Sequence, residues 1–414
     1  LKGSQDNYNW YGIEKNTFSE NIINNINENQ TYTTFKIIGN IDFVDSYLQD
    51  SEIALSYFSD ATNSSEYNFN LNTNLAFPVN LLSSASSTLT LATKAELLRG
   101  TFQKGFTDLN KIDYSIFTAE IHPNFSTVVG EFSFKIGFDF FAAFDTKNKV
   151  NHFLIYPDLQ IQKSLIKENL TIYTGVLGNL RTNTYQQFSS QNPFISPTQF
   201  ITQTNQKYDA FLGFNGLIDK KLSYNISLNA KEEQDKPLFL KNYSKSDGTN
   251  DNNNGIQFNG YEYGNSFSVV YDDVKTIAIG AEIGYEISRN LRISSDINFN
   301  NYTLTKEAYA WNLPNFEASI NGNYSSNKWY ANTSIFIISN RKDVTYSGTS
   351  FNRNDITILK AFVDANLNGG YHFSDKFTAF IKVSNLLNTS YQSFADFNVQ
   401  GLQALGGLTY KFDF

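Results

Sequence analysis

Three histidines, His122, His152 and His372, are the only imidazoles in the 414-residue chain, and cysteine is absent. That inventory limits the available chemistry from the outset: no disulfide, no thiolate metal site and no cysteine nucleophile can form. None of the histidines sits in a metal-binding or nucleophile motif, and no serine lies in a recognisable nucleophile context. A serine–histidine–acid site would have to recruit His152, or His372 beside Ser374, from positions that otherwise read as ordinary strand or rim residues. The expectation is a protein that is not an enzyme, with no catalytic residue, no metal ligand and no cofactor.

Two polar segments and one set of charges remain. Ser244 to Asn254 offers many side-chain oxygens to a calcium ion, but its spacing does not match the EF-hand loop, and a solvated surface loop is the simpler reading. Gln186 to Asn205 contains Asn192-Pro193-Phe194-Ile195-Ser196-Pro197. Two prolines around exposed apolar residues read equally as a stiff external loop that caps a pore or touches a partner, and as an internally packed turn. The charges are Glu282, Glu286, Asp296 and Asp364 against Arg292, Lys360, Lys382 and Lys411. A selective pore more often shows one sign in a ring, so mixed signs are expected to interlock as salt bridges across a closed interior.

Those charges are positioned by strands. From Thr276 to Ile287 one parity carries Ile277, Ile279, Ala281, Ile283, Tyr285 and Ile287, and the other Thr276, Gly280, Glu282, Gly284 and Glu286. From Leu291 to Asn300 the split recurs, with Leu291, Ile293, Ile297 and Phe299 against Arg292, Ser294, Asp296, Asn298 and Asn300. The same holds for Phe132 to Phe140, where Ser133, Lys135, Gly137 and Asp139 form the polar set, and for Leu222 to Asn229. A helix of period 3.6 would scramble both sets. Short turns such as Ser288-Arg289-Asn290 and Ser374-Asp375-Lys376 alternate with long polar segments, and rings gather at strand ends, as at Tyr371 and Phe373. A soluble sandwich also alternates, but alternating turn lengths and terminal rings point to lipid on the apolar side.

Composition agrees. Aromatic residues make up 16% and charged residues only 17%, mean hydropathy is −0.36, and no run of apolar residues is long enough for a spanning helix. A membrane protein without spanning helices must be a closed barrel. The reading is an all-β, transmembrane, antiparallel up-and-down β-barrel of about 16–18 strands over residues 31–414, with residues 1–30 a poorly defined N-terminal segment. Its partners would be outer-membrane lipid and other outer-membrane or periplasmic proteins. The net charge of −8 disfavours nucleic acid, and the lack of methionine even at position 1 suggests a processed or partial chain.

The C-terminal end, Gly401 to Phe414, alternates and finishes on an aromatic residue. It resembles the outer-membrane insertion signal, with Gly407, Tyr410, Phe412 and Phe414 in its glycine and aromatic places. Val383-Ser384-Asn385-Leu386-Leu387-Asn388-Thr389-Ser390-Tyr391 resembles the Asn-Leu-Phe-Asn segment before the last strand of TonB-dependent receptors. Leu313-Pro314-Asn315-Phe316 and Asn340-Arg341-Lys342-Asp343 fall where that family has a Leu-Pro entry and a basic loop start. The asparagine-rich texture, with lysine favoured over arginine, resembles Bacteroidota sequences. The resemblance implies a cell outer-membrane location and transport. The departure lies in length: the family carries an N-terminal plug and a complete barrel of about 22 strands, this chain reads as too short for both, and the plug is expected either upstream of residue 1 or not at all.

Three functions follow as expectations: a receptor-like transporter whose plug lies upstream, a plugless accessory or scaffold subunit of a larger secretion or barrel-assembly complex, and a passive diffusion pore. The last strand is expected to close the sheet against the first.

Overall fold

A computed structural model describes residues 1–14, 18–79, 87–167, 169–247, 252–253, 256–346, 349, 353 and 355–412. Eighteen of its strands form one antiparallel sheet in which each strand pairs with its neighbour in the chain. They are β1 (Lys2–Asn9), β2 (Asn29–Asp42), β3 (Leu48–Ser59), β4 (Ser65–Val79), β5 (Ser87–Phe102), β6 (Ile112–Val129), β7 (Phe132–Asp145), β8 (Val150–Ile166) and β9 (Leu170–Thr182). The sheet continues with β10 (Gln203–Ile218), β11 (Leu222–Lys241), β12 (Phe267–Ser288), β13 (Leu291–Leu304), β14 (Phe316–Ser325), β15 (Trp329–Ile338), β16 (Phe362–His372), β17 (Phe377–Ser384) and β18 (Gln403–Tyr410). This is the expected up-and-down transmembrane wall.

The sequence alternation becomes the two faces of that wall. Ile279, Ile136 and Ile155 are 53, 54 and 70% exposed on the outside, whereas their neighbours of the other parity face the lumen. Such a belt of exposed isoleucine and phenylalanine is tolerable only against hydrocarbon. Among the described residues no helix is long and apolar enough to cross a membrane.

Turn chemistry sorts the two ends. β6 and β7 are joined by Gly130 and Glu131, with Gly130 at φ +61°; Asp219, Lys220 and Lys221 join β10 to β11, the first two of them left-handed. At this short-turn end, periplasmic by the rule for such barrels, Trp329, Tyr371, Phe373 and Phe377 form a chain of ring contacts, and Tyr410 packs on Phe412 at 4.9 Å. The long connections at the other end carry α1 (Glu20–Asn25), α2 (Tyr185–Gln191) and two-stranded hairpins such as Arg341–Thr345 with Asp355–Leu359.

Two expectations need correction. The first 30 residues are not featureless, because β1 pairs along its whole length with β2, from Lys2 opposite Lys36 to Asn9 opposite Asn29. The closing pair is also not made: among the described residues β18 pairs only with β17, and β1 only with β2. The connections next to the two ends of the sheet meet where the Tyr11 hydroxyl donates to the Asn398 carbonyl at 2.8 Å. Among the described residues this leaves one edge of β1 and one edge of β18 without a strand partner, and backbone groups in hydrocarbon need such pairing.

Candidate functional site

The long connections fold inward and over the mouth of the lumen. α2 is the clearest case. Thr184 caps it by accepting from the Gln187 N–H at 3.0 Å, and Glu66 on the inner face of β4 accepts from the Tyr185 and Gln186 N–H groups at 2.7 and 3.1 Å. A carboxylate at a helix N-terminus satisfies its free donors and opposes its dipole. The Tyr114 hydroxyl donates to the same carboxylate at 2.8 Å, and Tyr185 donates to Asp60 at 2.8 Å. Tyr185 and Phe188 are thereby buried against Tyr32, Phe58, Leu98, Phe102 and Tyr114, which project from the lumen face of β2, β3, β5 and β6. Close packing of this kind needs glycine opposite a ring: a Cβ on Gly100 would lie 2.1 Å from the Tyr114 ring.

Beyond α2, the proline-flanked segment takes the inward alternative. Phe194 and Ile195 are buried, which decides between the two readings the sequence left equal, and the Pro193 carbonyl accepts from Tyr32 at 2.9 Å. Phe194 joins Trp10, Phe106, Tyr261, Phe267 and Phe397 in one aromatic cluster. Five connections supply these rings, so the cluster ties together loops rooted all around the wall and forms a cap across the mouth. Buried Glu262 anchors it, ion-paired to Lys104 at 2.7 Å and Lys245 at 2.5 Å, and these lysines also lie over the Tyr261 and Phe106 rings. Burial alone would raise the Glu262 carboxyl; the two lysines and the Asn259 N–H outweigh it and hold the group below the usual glutamate range.

The motifs that carried the family resemblance also belong to this cap. Asn385 and Asn388 both have positive φ, 49° and 51°, which asparagine tolerates better than most residues. Their side chains hold the last loop: Asn385 donates to the Thr389 and Gln400 carbonyls, each at 3.0 Å, and Asn388 accepts from the Leu402 N–H at 3.0 Å. Arg341 donates to the Ser393 and Gln392 carbonyls. Asp343 accepts from Asn312, Lys241 and Val344, and burial raises its carboxyl to about 6 in spite of these donors.

Of the charges proposed for the lumen, Glu282, Asp296 and Arg292 line one cavity with Tyr224 and Asn225. Glu286 lies opposite Arg292, while Asp364 accepts from the Tyr391 hydroxyl at 2.7 Å. Lys382 lies near the Phe380 ring, Lys411 follows β18, and Lys360 sits between strands, outside the wall. Among the described residues none of these eight forms an ion pair. The interlocking pairs occur instead on the earlier strands, where Glu233 holds both Arg181 and Lys236 and Lys135 meets Asp158 at 2.6 Å. Register caused the miss: parity shows which face a charge is on, not which charge it meets across the sheet.

A second cavity, of about 540 Å³, lies beneath α2 and includes Glu96, Glu120, His122, Asp139, Asp158 and Arg181 in its wall. His122, read from sequence as an ordinary strand residue, lies between Asp139 at 3.3 Å and Asp158 at 2.8 Å. His152 stays exposed at the start of β8, and His372 meets the Thr378 hydroxyl at 2.7 Å. In the oxygen-rich loop Ser244 and Ser246 are buried, while 248–251 and 254 lie outside the described residues, as do Asp413 and Phe414 of the C-terminal signal. Gly407 accepts the Phe380 ring against its backbone, where a Cβ would lie 2.5 Å away.

The fold has solved counterparts. The ferric enterobactin receptor of Pseudomonas aeruginosa superposes with a TM-score of 0.62 over 99% of this chain, at 12% identity. The pyoverdine outer membrane receptor of the same species gives 0.61 over 93% at 11%, and the copper transporter OprC gives 0.58 over 93% at 12%. The fold is that of the outer-membrane receptor barrels. The chain spans 67, 62 and 65% of those three proteins' lengths. No protein-family model matches the sequence, and no curated protein matches it.

Proposed function

We propose that this barrel is the membrane-embedded part of a gated outer-membrane importer of the TonB-dependent receptor kind, and not an open diffusion pore. One observation carries the reading: five connections converge on the cluster of Trp10, Phe106, Phe194, Tyr261, Phe267 and Phe397 and close the outer mouth over polar cavities. A passive pore needs a continuous aqueous path; a gated importer needs a mouth that opens when solute or energy is supplied. The receptor-like fold of the neighbours supports the same reading.

The test is conductance of the full-length protein, purified from outer membranes, in planar bilayers. It should be electrically quiet as isolated and become conducting when residues 185–199 are replaced by a short glycine-serine linker. Steady open-channel current from the unaltered protein would establish the passive pore instead.

A further inference from the structure

On the lumen wall below the cap, Glu120 and His122 project together from β6 because they are two residues apart on one strand, and Asp139 joins them from β7. A ligand atom from each of the three lies within 4.8 Å of the others. Pro123 interrupts the pairing just here, the β6–β7 register running from Ile121 opposite Phe140 directly to Asn124 opposite Gly137. Gly137 leaves room for the Asn124 side chain, which a Cβ would meet at 2.7 Å, and that side chain donates to Asp158 at 3.3 Å.

Asp158 is fully committed. It is 2% exposed and meets Lys135, Gln160, Asn124 and the Nε2 of His122. A carboxylate on one imidazole nitrogen fixes the ring and directs the other nitrogen, which is how metal-ligating histidines are commonly held. Nδ1 then faces Asp139. Glu120 makes no hydrogen bond or ion pair among the described residues, and Asp139 meets only His122. Glu96 is paired with Lys94 and Asp158 with Lys135, whereas Glu120 and Asp139 have no lysine or arginine ion pair among the described residues and flank the ring of His122.

We propose that Glu120, His122 and Asp139 bind one divalent transition-metal cation of the zinc class on the lumen wall, with Asp158 as the positioning residue of the histidine. One nitrogen and two carboxylates suit zinc and its neighbours better than calcium or magnesium, which prefer oxygen alone, and three protein ligands leave a position open to the cavity. The site is independent of whether the barrel imports anything.

The test is calorimetric titration of Zn²⁺ alone into the full-length, chelator-stripped protein in detergent, with heat-modifiable gel migration confirming that each variant is folded. One equivalent should bind. His122→Ala should abolish it, Asp158→Asn should weaken it roughly 10–100-fold, and His152→Ala should leave it unchanged. X-ray absorption of the zinc-loaded protein should show one imidazole among oxygen ligands. Folded His122→Ala protein that still binds one equivalent, or unaltered protein that binds none at micromolar zinc, would overturn the proposal.

Discussion

Phe194 and Phe397 stack face to face with ring centroids 3.7 Å apart, joining the connection after β9 to the connection before β18. The contact links two distant sectors of the wall across the mouth, and Tyr11 packs edge-on against both rings.

Removing either ring should therefore loosen the cap without unfolding the wall. Phe194→Ala or Phe397→Ala should cost about 3–5 kcal/mol of cap stability, and the double variant less than the sum, because the rings share one contact. Single-channel recording should show flickering openings in each variant. Recordings as quiet as those of the unaltered protein would mean that the stack does not hold the mouth shut.

The two buried carboxyls of the cap should give pH responses of opposite sign. Glu262 is held below the usual glutamate range, so its contribution is complete above that range and disappears as the pH falls through its lowered value. Asp343 is raised to about 6, so its contribution is complete below the ordinary aspartate value and is lost as the pH rises through about 6. Protease cleavage of the cap loops, followed against pH, should lose its acid limb in Glu262→Gln and its limb up to pH about 6 in Asp343→Asn. A profile that neither substitution alters would refute the assignment.

Ile279 and Ile283 lie on the lipid face of β12, while Glu282 lines a lumen cavity. Arginine at 279 or 283 should destabilise the barrel by roughly 2–4 kcal/mol at mid-membrane depth, and arginine at 282 by much less. Urea unfolding in lipid vesicles measures the difference. Equal tolerance at 282 and 283 would reverse the face assignment.

Tyr410 lies opposite Phe377, and Tyr410 and Phe412 are exposed at the short-turn end. Deleting 410–414 should remove the aromatic end and the last paired residue of β18, so the protein should be degraded in the periplasm and lose heat-modifiable migration. Normal insertion of the truncated chain would show that the signal lies elsewhere.

The wall was legible in the sequence. Alternation of period two is local and is imposed by lipid on one side and water on the other, so Ile277 to Ile287 declared its faces without any neighbour, and turn lengths declared the two ends. The C-terminal asparagines were visible as a motif, and their left-handed turns explain why that residue type stands there. What only the tertiary structure decided was everything made between distant strands. Phe194 and Ile195 look the same whether they face water or a lumen, and their burial depends on rings supplied by four other connections. His122 has no ligand motif around it, because Asp139 and Asp158 reach it from neighbouring strands through a register that parity does not specify. That β1 and β18 each pair on one side only among the described residues likewise belongs to the sheet as a whole, since each strand's own sequence is compatible with a partner on both sides.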